Sequence, residues 1–170
     1  MSGSKSKNKG NSWERAVAKF LSDLYSESFI RTPGSGAFIG GLNSFRKQTL
    51  GESQIKNFKG DIIAPETWKK FNCEAKSYAD FPFHQLYQTS VPILEKWIGQ
   101  MFEVADEGDF NVIIMKFNRK GSYVAIQPTP SLINNKNHFI YQSLQHGTWV
   151  IQDFESFWTS NSRAIKELCE

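Results

Sequence analysis

Residues Phe110–Phe117 read F-N-V-I-I-M-K-F. Side chains alternate across a strand, so this unbroken apolar run puts apolar groups on both of its faces. Such a strand belongs in the interior of a sheet with both faces covered. Ser122–Gln127 follows after the glycine-containing turn Asn118–Gly121, which is a hairpin pattern. His138–Gln142 and Thr148–Gln152 read as further short strands. Helical spacing supplies the cover. Ala16, Val17, Phe20, Leu21 and Leu24 make one apolar face after a cap at Asn11 or Ser12, with Glu14 in the first turn. Ile93, Leu94, Trp97, Ile98, Met101 and Phe102 form a stripe on a helix expected over 92–105, with proline in its first turn. Asp153 caps a last helix carrying Phe154, Phe157 and Trp158, with a restart near Ser162. The fold class expected is α/β, a central mixed sheet flanked by helices on both sides.

At 170 residues the chain has the length of one domain. Residues 1–9 are small, polar and basic and are expected to be disordered, ahead of a single domain over 10–170. Within it, residues 37–59 read as one long loop with little periodicity. No apolar run reaches the length of a membrane span, and the N-terminus lacks the apolar core of a secretory signal. Cys73 and Cys169 stand outside any metal spacing and read as reduced thiols of a cytoplasmic protein. The histidines His84, His138 and His146 show no ligand spacing, and no glycine-rich nucleotide loop is present. Net charge is +3. It is unevenly distributed: residues 1–60 carry ten Lys and Arg against four Asp and Glu, whereas residues 61–170 carry ten against thirteen. A basic first third on a near-neutral body suits an anionic partner such as nucleic acid.

The chemistry is concentrated in Phe71–Tyr78, F-N-C-E-A-K-S-Y. Glu74 and Lys76 share one face of this strand, about 7 Å apart, while Phe71, Cys73 and Ala75 share the other. Asp61 opens a shorter strand, G-D-I-I-A. A hairpin through Pro65–Lys70 would bring Asp61 beside Glu74. Two adjacent carboxylates repel unless a positive charge sits between them, and a hard divalent cation with oxygen ligands meets that need. Lys76 beside it could orient or deprotonate a water and steady developing charge, as phosphodiester hydrolysis requires. Gly34-Ser35-Gly36 offers a close backbone approach and a hydroxyl. The bases Arg46, Lys47, Lys56 and Lys59, with Phe38, Phe45 and Phe58, suit phosphate contact and stacking.

G-D-I-I-A followed by E-A-K resembles the D…(D/E)-x-K core of the PD-(D/E)xK nuclease superfamily, with glycine at position 60 where proline is usual. The order of K-G-N-S-W-E-R-A-V-A-K-F-L (9–21), R-T-P-G-S-G-A-F (31–38), G-D-I-I-A (60–64), C-E-A-K-S-Y (73–78) and V-I-I-M-K-F-N-R-K-G-S-Y-V (112–124) resembles the archaeal-type Holliday-junction resolvases and their phage relatives. The resemblance implies a restriction-endonuclease-like fold. Asp61 and Glu74 become metal ligands, Glu14 a further metal acid, Lys76 the catalytic lysine and Ser35 a serine near the scissile phosphate. Gln85, Gln88 and Gln100 are candidates for the glutamine that follows the lysine strand. Lys5, Lys7, Lys9, Arg31, Ser35, Arg46, Lys47, Lys56 and Lys59 are the expected nucleic-acid contacts.

The expected activity is that of a Mg²⁺-dependent endodeoxyribonuclease, with Mn²⁺ as an alternative cofactor, acting as a homodimer on branched DNA. Two other readings stay open. One is a related endonuclease of restriction, repair or end-processing type acting on duplex DNA. The other is a DNA-binding protein of the same fold without catalysis. The segment 37–59 and the C-terminal third from Pro128 have no counterpart in the resembled family.

Overall fold

A computed structural model describes the backbone of residues 3–33 and 59–170 and the side chains of 10–33 and 59–170. Helix α1 is Gly3–Tyr25, followed by the two-residue strands β1 (Ile30–Arg31) and β2 (Ile62–Ile63). Then come β3 (Phe71–Tyr78), a 3-10 turn at Phe83–Tyr87, α2 (Pro92–Phe102), β4 (Phe110–Phe117), β5 (Gly121–Ile126), β6 (His138–Ser143), β7 (Gly147–Asp153) and α3 (Phe154–Cys169). Five strands form one mixed sheet in the order β3-β4-β5-β7-β6. Only β3 and β4 run parallel; every other pair in this sheet is antiparallel. The expected α/β architecture is the one observed, with α1 and α3 on one face and α2 on the other.

β4 lies inside the sheet and splits its apolar run as alternation requires. Val112 and Ile114 enter the core beneath α1 and α3, with Trp13, Val17, Leu21, Phe157 and Trp158. Ile113 and Met115 enter the core beneath α2, with Leu94, Trp97, Ile98 and Met101. Each such fully buried side chain contributes roughly 1.5–3 kcal/mol. Trp149 and Trp158 are both fully buried, one in each core. Asp153 caps α3 as expected, its side chain accepting from the Ser156 N–H at 2.9 Å. The helix then runs unbroken to Cys169, with no restart at Ser162. Cys73 and Cys169 are free and buried.

Two expectations for the first helix are corrected. It starts at Gly3, ahead of the expected cap at Asn11 or Ser12. Glu14 therefore sits mid-helix, where the positive helix end does not reach it. Asn11 binds a side chain instead, accepting from Arg31 at 2.7 Å.

The route by which Asp61 reaches β3 also differs from a hairpin. The ladder partner of β2 is β1, with Ile30 opposite Ile63 and Arg31 opposite Ile62. Contact with β3 is made one step earlier, where the Asp61 N–H donates to the Cys73 carbonyl at 2.7 Å. Gly60 permits this approach. Its φ is +68°, and a Cβ there would lie 2.5 Å from the Cys73 carbonyl oxygen. Proline, fixed near φ −65°, cannot occupy this backbone. We expect Gly60→Ala to destabilise the protein by about 3 kcal/mol, from left-handed strain plus the clash. Urea unfolding measures this, and an unchanged midpoint would show that the turn simply shifts.

Candidate active site

β3 is the first strand of the sheet, and its outer edge is where the candidate residues gather. Parallel pairing with β4 satisfies one side of β3; the other side offers the Cys73 carbonyl and the Ala75 N–H. Asp61 takes both. Its N–H donates to Cys73, and its Oδ2 accepts from the Ala75 N–H at 2.8 Å. A side-chain oxygen thus stands in for the main-chain acceptor that a further strand would bring. Thr32 secures the same residue from behind, its N–H donating to the Asp61 carbonyl at 2.9 Å.

Glu74 and Lys76 project to the face of β3 covered by α2. Lys76 Nζ donates to Glu74 Oε1 at 2.5 Å and to Gln100 Oε1 of α2 at 3.0 Å. Of the three candidate glutamines, only Gln100 reaches the lysine. Gln85, in the 3-10 turn, and Gln88, exposed just after it, make no side-chain hydrogen bond to the cluster. Two residues before Glu74 on the same face of β3, the buried Asn72 meets the half-buried Asn111. Asn72 donates to Asn111 Oδ1 at 2.8 Å and to the Met101 carbonyl at 3.3 Å.

Glu14 comes from the opposite face, on α1. Its carboxylate is paired with the Arg31 guanidinium, which also donates to Asn11. Burial raises the Glu14 pKa, the Arg31 hydrogen bond opposes this, and the Asp61 charge raises it further. Arg31, expected to contact nucleic acid, is instead committed to two partners inside the protein. Sequence reasoning misses the Glu14–Arg31 pairing. Both residues lie in motifs singled out, but residue order does not show which side chains meet.

Lys59 is likewise bonded inside the protein. Expected among the phosphate contacts, it is 6% exposed and ion-paired with Asp109 and with Asp106, the latter at 3.0 Å. Burying its ammonium demands such partners. Ser35, Arg46, Lys47 and Lys56 lie outside the described residues, as does nearly all of the expected loop 37–59. Lys5, Lys7 and Lys9 lie on the α1 backbone, with side chains outside the described set.

Electrostatics tie the cluster together. The Glu74 pKa is raised to about 7, first by burial and then by the Asp61 charge; Lys76 opposes both, and Glu14 adds a smaller push upward. One lysine therefore does not compensate the buried negative charge. Among the described residues no three His, Cys, Asp or Glu side chains are gathered as a metal cage. Glu14 is paired with Arg31, and one Asp61 oxygen accepts from the Ala75 N–H. What remains is a pair of hard oxygen donors in mutual repulsion, which fits one divalent cation that keeps several waters of its own. Asp61 and Glu74 are the residues that would hold it.

A carboxyl pKa that rises from 4.5 in the unfolded chain to about 7 in the fold disfavours the folded state once it ionises. The Glu74 contribution to stability is thus lost as pH rises from about 4.5 to 7, by on the order of 3 kcal/mol. In metal-free protein we expect the labelled Glu74 carboxyl carbon to titrate near pH 7 by NMR. Asp61→Asn, which keeps the acceptor for Ala75, should move that titration down. A Glu74 titration that Asp61→Asn leaves unmoved would mean that the two carboxylates do not interact.

The profile of a family described as "Phage putative PDDEXK endonuclease" matches residues 5–167 of this chain. No curated protein and no solved structure matches. The profile spans both cores and every described candidate residue, from Glu14 through Gln100. The chain belongs to the phage PDDEXK endonuclease family.

Proposed function

We propose that the chain is a Mg²⁺-dependent, structure-selective endodeoxyribonuclease that cuts branched DNA, four-way junctions in particular. The observation that carries the reading is the attachment of Asp61 to the outer edge of β3 beside Glu74, with Lys76 between Glu74 and Gln100. PD-(D/E)xK nucleases in general use divalent metals, and these carboxylates fit that chemistry. The choice of branched DNA is supported by the ordered motifs shared with junction resolvases and by the basic first third of the chain.

In this reading Asp61 and Glu74 bind the cation. A bound divalent ion supplies charge neutralisation on the phosphate and a more acidic water. Lys76 orients the attacking water and steadies charge on the phosphate oxygens. Gln100 holds the lysine from the α2 side, independently of Glu74. Glu14 is ion-paired with Arg31, which offsets only part of its charge, so it still opposes ionisation of Glu74. Symmetric cleavage of a junction needs two such sites, so the working form is a homodimer.

The test is incubation of the protein with a four-way junction or a linear duplex, in Mg²⁺, Mn²⁺ or EDTA. We expect paired symmetric nicks in the junction, none in the duplex and none in EDTA. Cutting of duplex equally well would assign another endonuclease task to the same site. Binding without cleavage in every ion would make the protein a DNA-binding relative. Asp61→Asn, Glu74→Gln and Lys76→Ala should each lower the cleavage rate by about 10³-fold while junction binding persists. Loss of binding together with the folded state would make these residues structural.

A further inference from the structure

The exposed tip of the β4–β5 hairpin lies at the C-terminal end of β3 and carries cations that the candidate site itself does not use. β3 is buried from Phe71 to Glu74, half-buried from Ala75 to Ser77 and exposed at Tyr78. The cluster therefore opens to solvent at the C-terminal end of this strand. The neighbouring element at that end is the turn Asn118–Lys120. Register pairs Lys76 with Met115 and Ser77 with Lys116. The turn is fastened to the end of β3 by the Asn118 N–H donating to the Tyr78 carbonyl at 3.2 Å and by a Lys120–Asp80 ion pair at 2.6 Å.

Lys116 and Arg119 are both exposed. Among the described residues neither has a carboxylate partner. Lys116 Nζ lies over the Trp13 ring, 5.2 Å from its centroid, and Trp13 precedes Glu14 on α1. The ring contact fixes the ammonium without neutralising it. Arg119 occupies the left-handed region, at φ +57°. Glycine or asparagine sits there with less strain. An arginine at such a position, with no counter-ion among the described residues, is a side chain kept at a conformational cost.

We propose that Lys116 and Arg119 grip the phosphate backbone of the DNA next to the scissile bond, seating it across the end of β3. The inference rests on the nuclease reading. The hairpin is tied to the end of β3, with Lys116 on the α1 face of the sheet and Lys76 on the α2 face, so DNA laid across that strand end meets cations from both sides. They set the substrate's position and take no part in the chemistry. Phosphate contacts of this kind fix register and carry no sequence information.

Full-length wild type, Lys116→Gln, Arg119→Asn and the double variant are compared for binding of fluorescent junction and duplex over a salt series without divalent metal. Each cation removed should flatten the slope of log K against log salt by about 0.9, so by about 2 in the double variant, with affinity down about tenfold or more at low salt. Arg119→Lys should retain most of the affinity. Arg119→Asn should melt at or above the wild-type temperature, which separates a weakened phosphate grip from unfolding. In cleavage assays KM should rise more than kcat falls. If wild type binds and cuts DNA while the double variant keeps its affinity and salt slope, the hairpin grip is overturned and the nuclease reading stands. If wild type neither binds nor cuts any DNA, both are overturned.

Discussion

Asp61 is held against the outer edge of β3 at two points, by its own N–H and by its side-chain oxygen. The candidate site is built on this attachment. A strand edge has unpaired donors and acceptors that must be satisfied or covered. Here the covering residue is itself a carboxylate, so the need to close the edge places a negative charge beside Glu74. Gly60 is the residue that allows it, because any Cβ at that φ would run into the Cys73 carbonyl. The departure from the usual proline thus has a local steric reason.

The consequence is a buried charge imbalance. Asp61 and Glu74 stand close enough for each charge to oppose the other, and burial weakens the screening by water. Lys76 offsets part of this, and Gln100 anchors the lysine from the other side. Glu14 is set apart by its own counter-ion, Arg31. Under the proposed function, a divalent cation held by these two carboxylates would relieve that repulsion. Lys59 shows the contrasting case, a buried cation matched by Asp109 and Asp106.

Both cores serve this edge. α1 packs on one face and brings Glu14 and Trp13; α2 packs on the other and brings Gln100. Helix α2 is anchored at its other end as well, where Glu95 accepts from Tyr141, Ser143 and the Leu144 N–H on β6 and the turn that follows it. Gln100 therefore reaches Lys76 from a helix fixed by apolar packing and by a carboxylate clamp.

Strands, helices and fold class were legible in the residue order alone. Period-two and helical spacing are local properties, and the V-I-I-M run of β4 demanded cover on both faces wherever the other elements went. The shared face of Glu74 and Lys76 was legible because alternation along a strand is fixed by backbone geometry, whereas the hairpin expected to bring Asp61 beside them was not the route taken. The start of α1 was not, because a polar, basic composition says little about whether a helix continues once its apolar face is anchored further on. The partner that each polar side chain takes was settled in three dimensions. Packing joined Arg31 to Glu14, took Lys59 out of reach of solvent, selected Gln100 over Gln85 and Gln88, and replaced the expected hairpin with a side-chain attachment. Those outcomes depend on distances between segments remote in sequence, where burial makes an unpaired charge costly and a few ångströms decide which counter-group is near enough to match it.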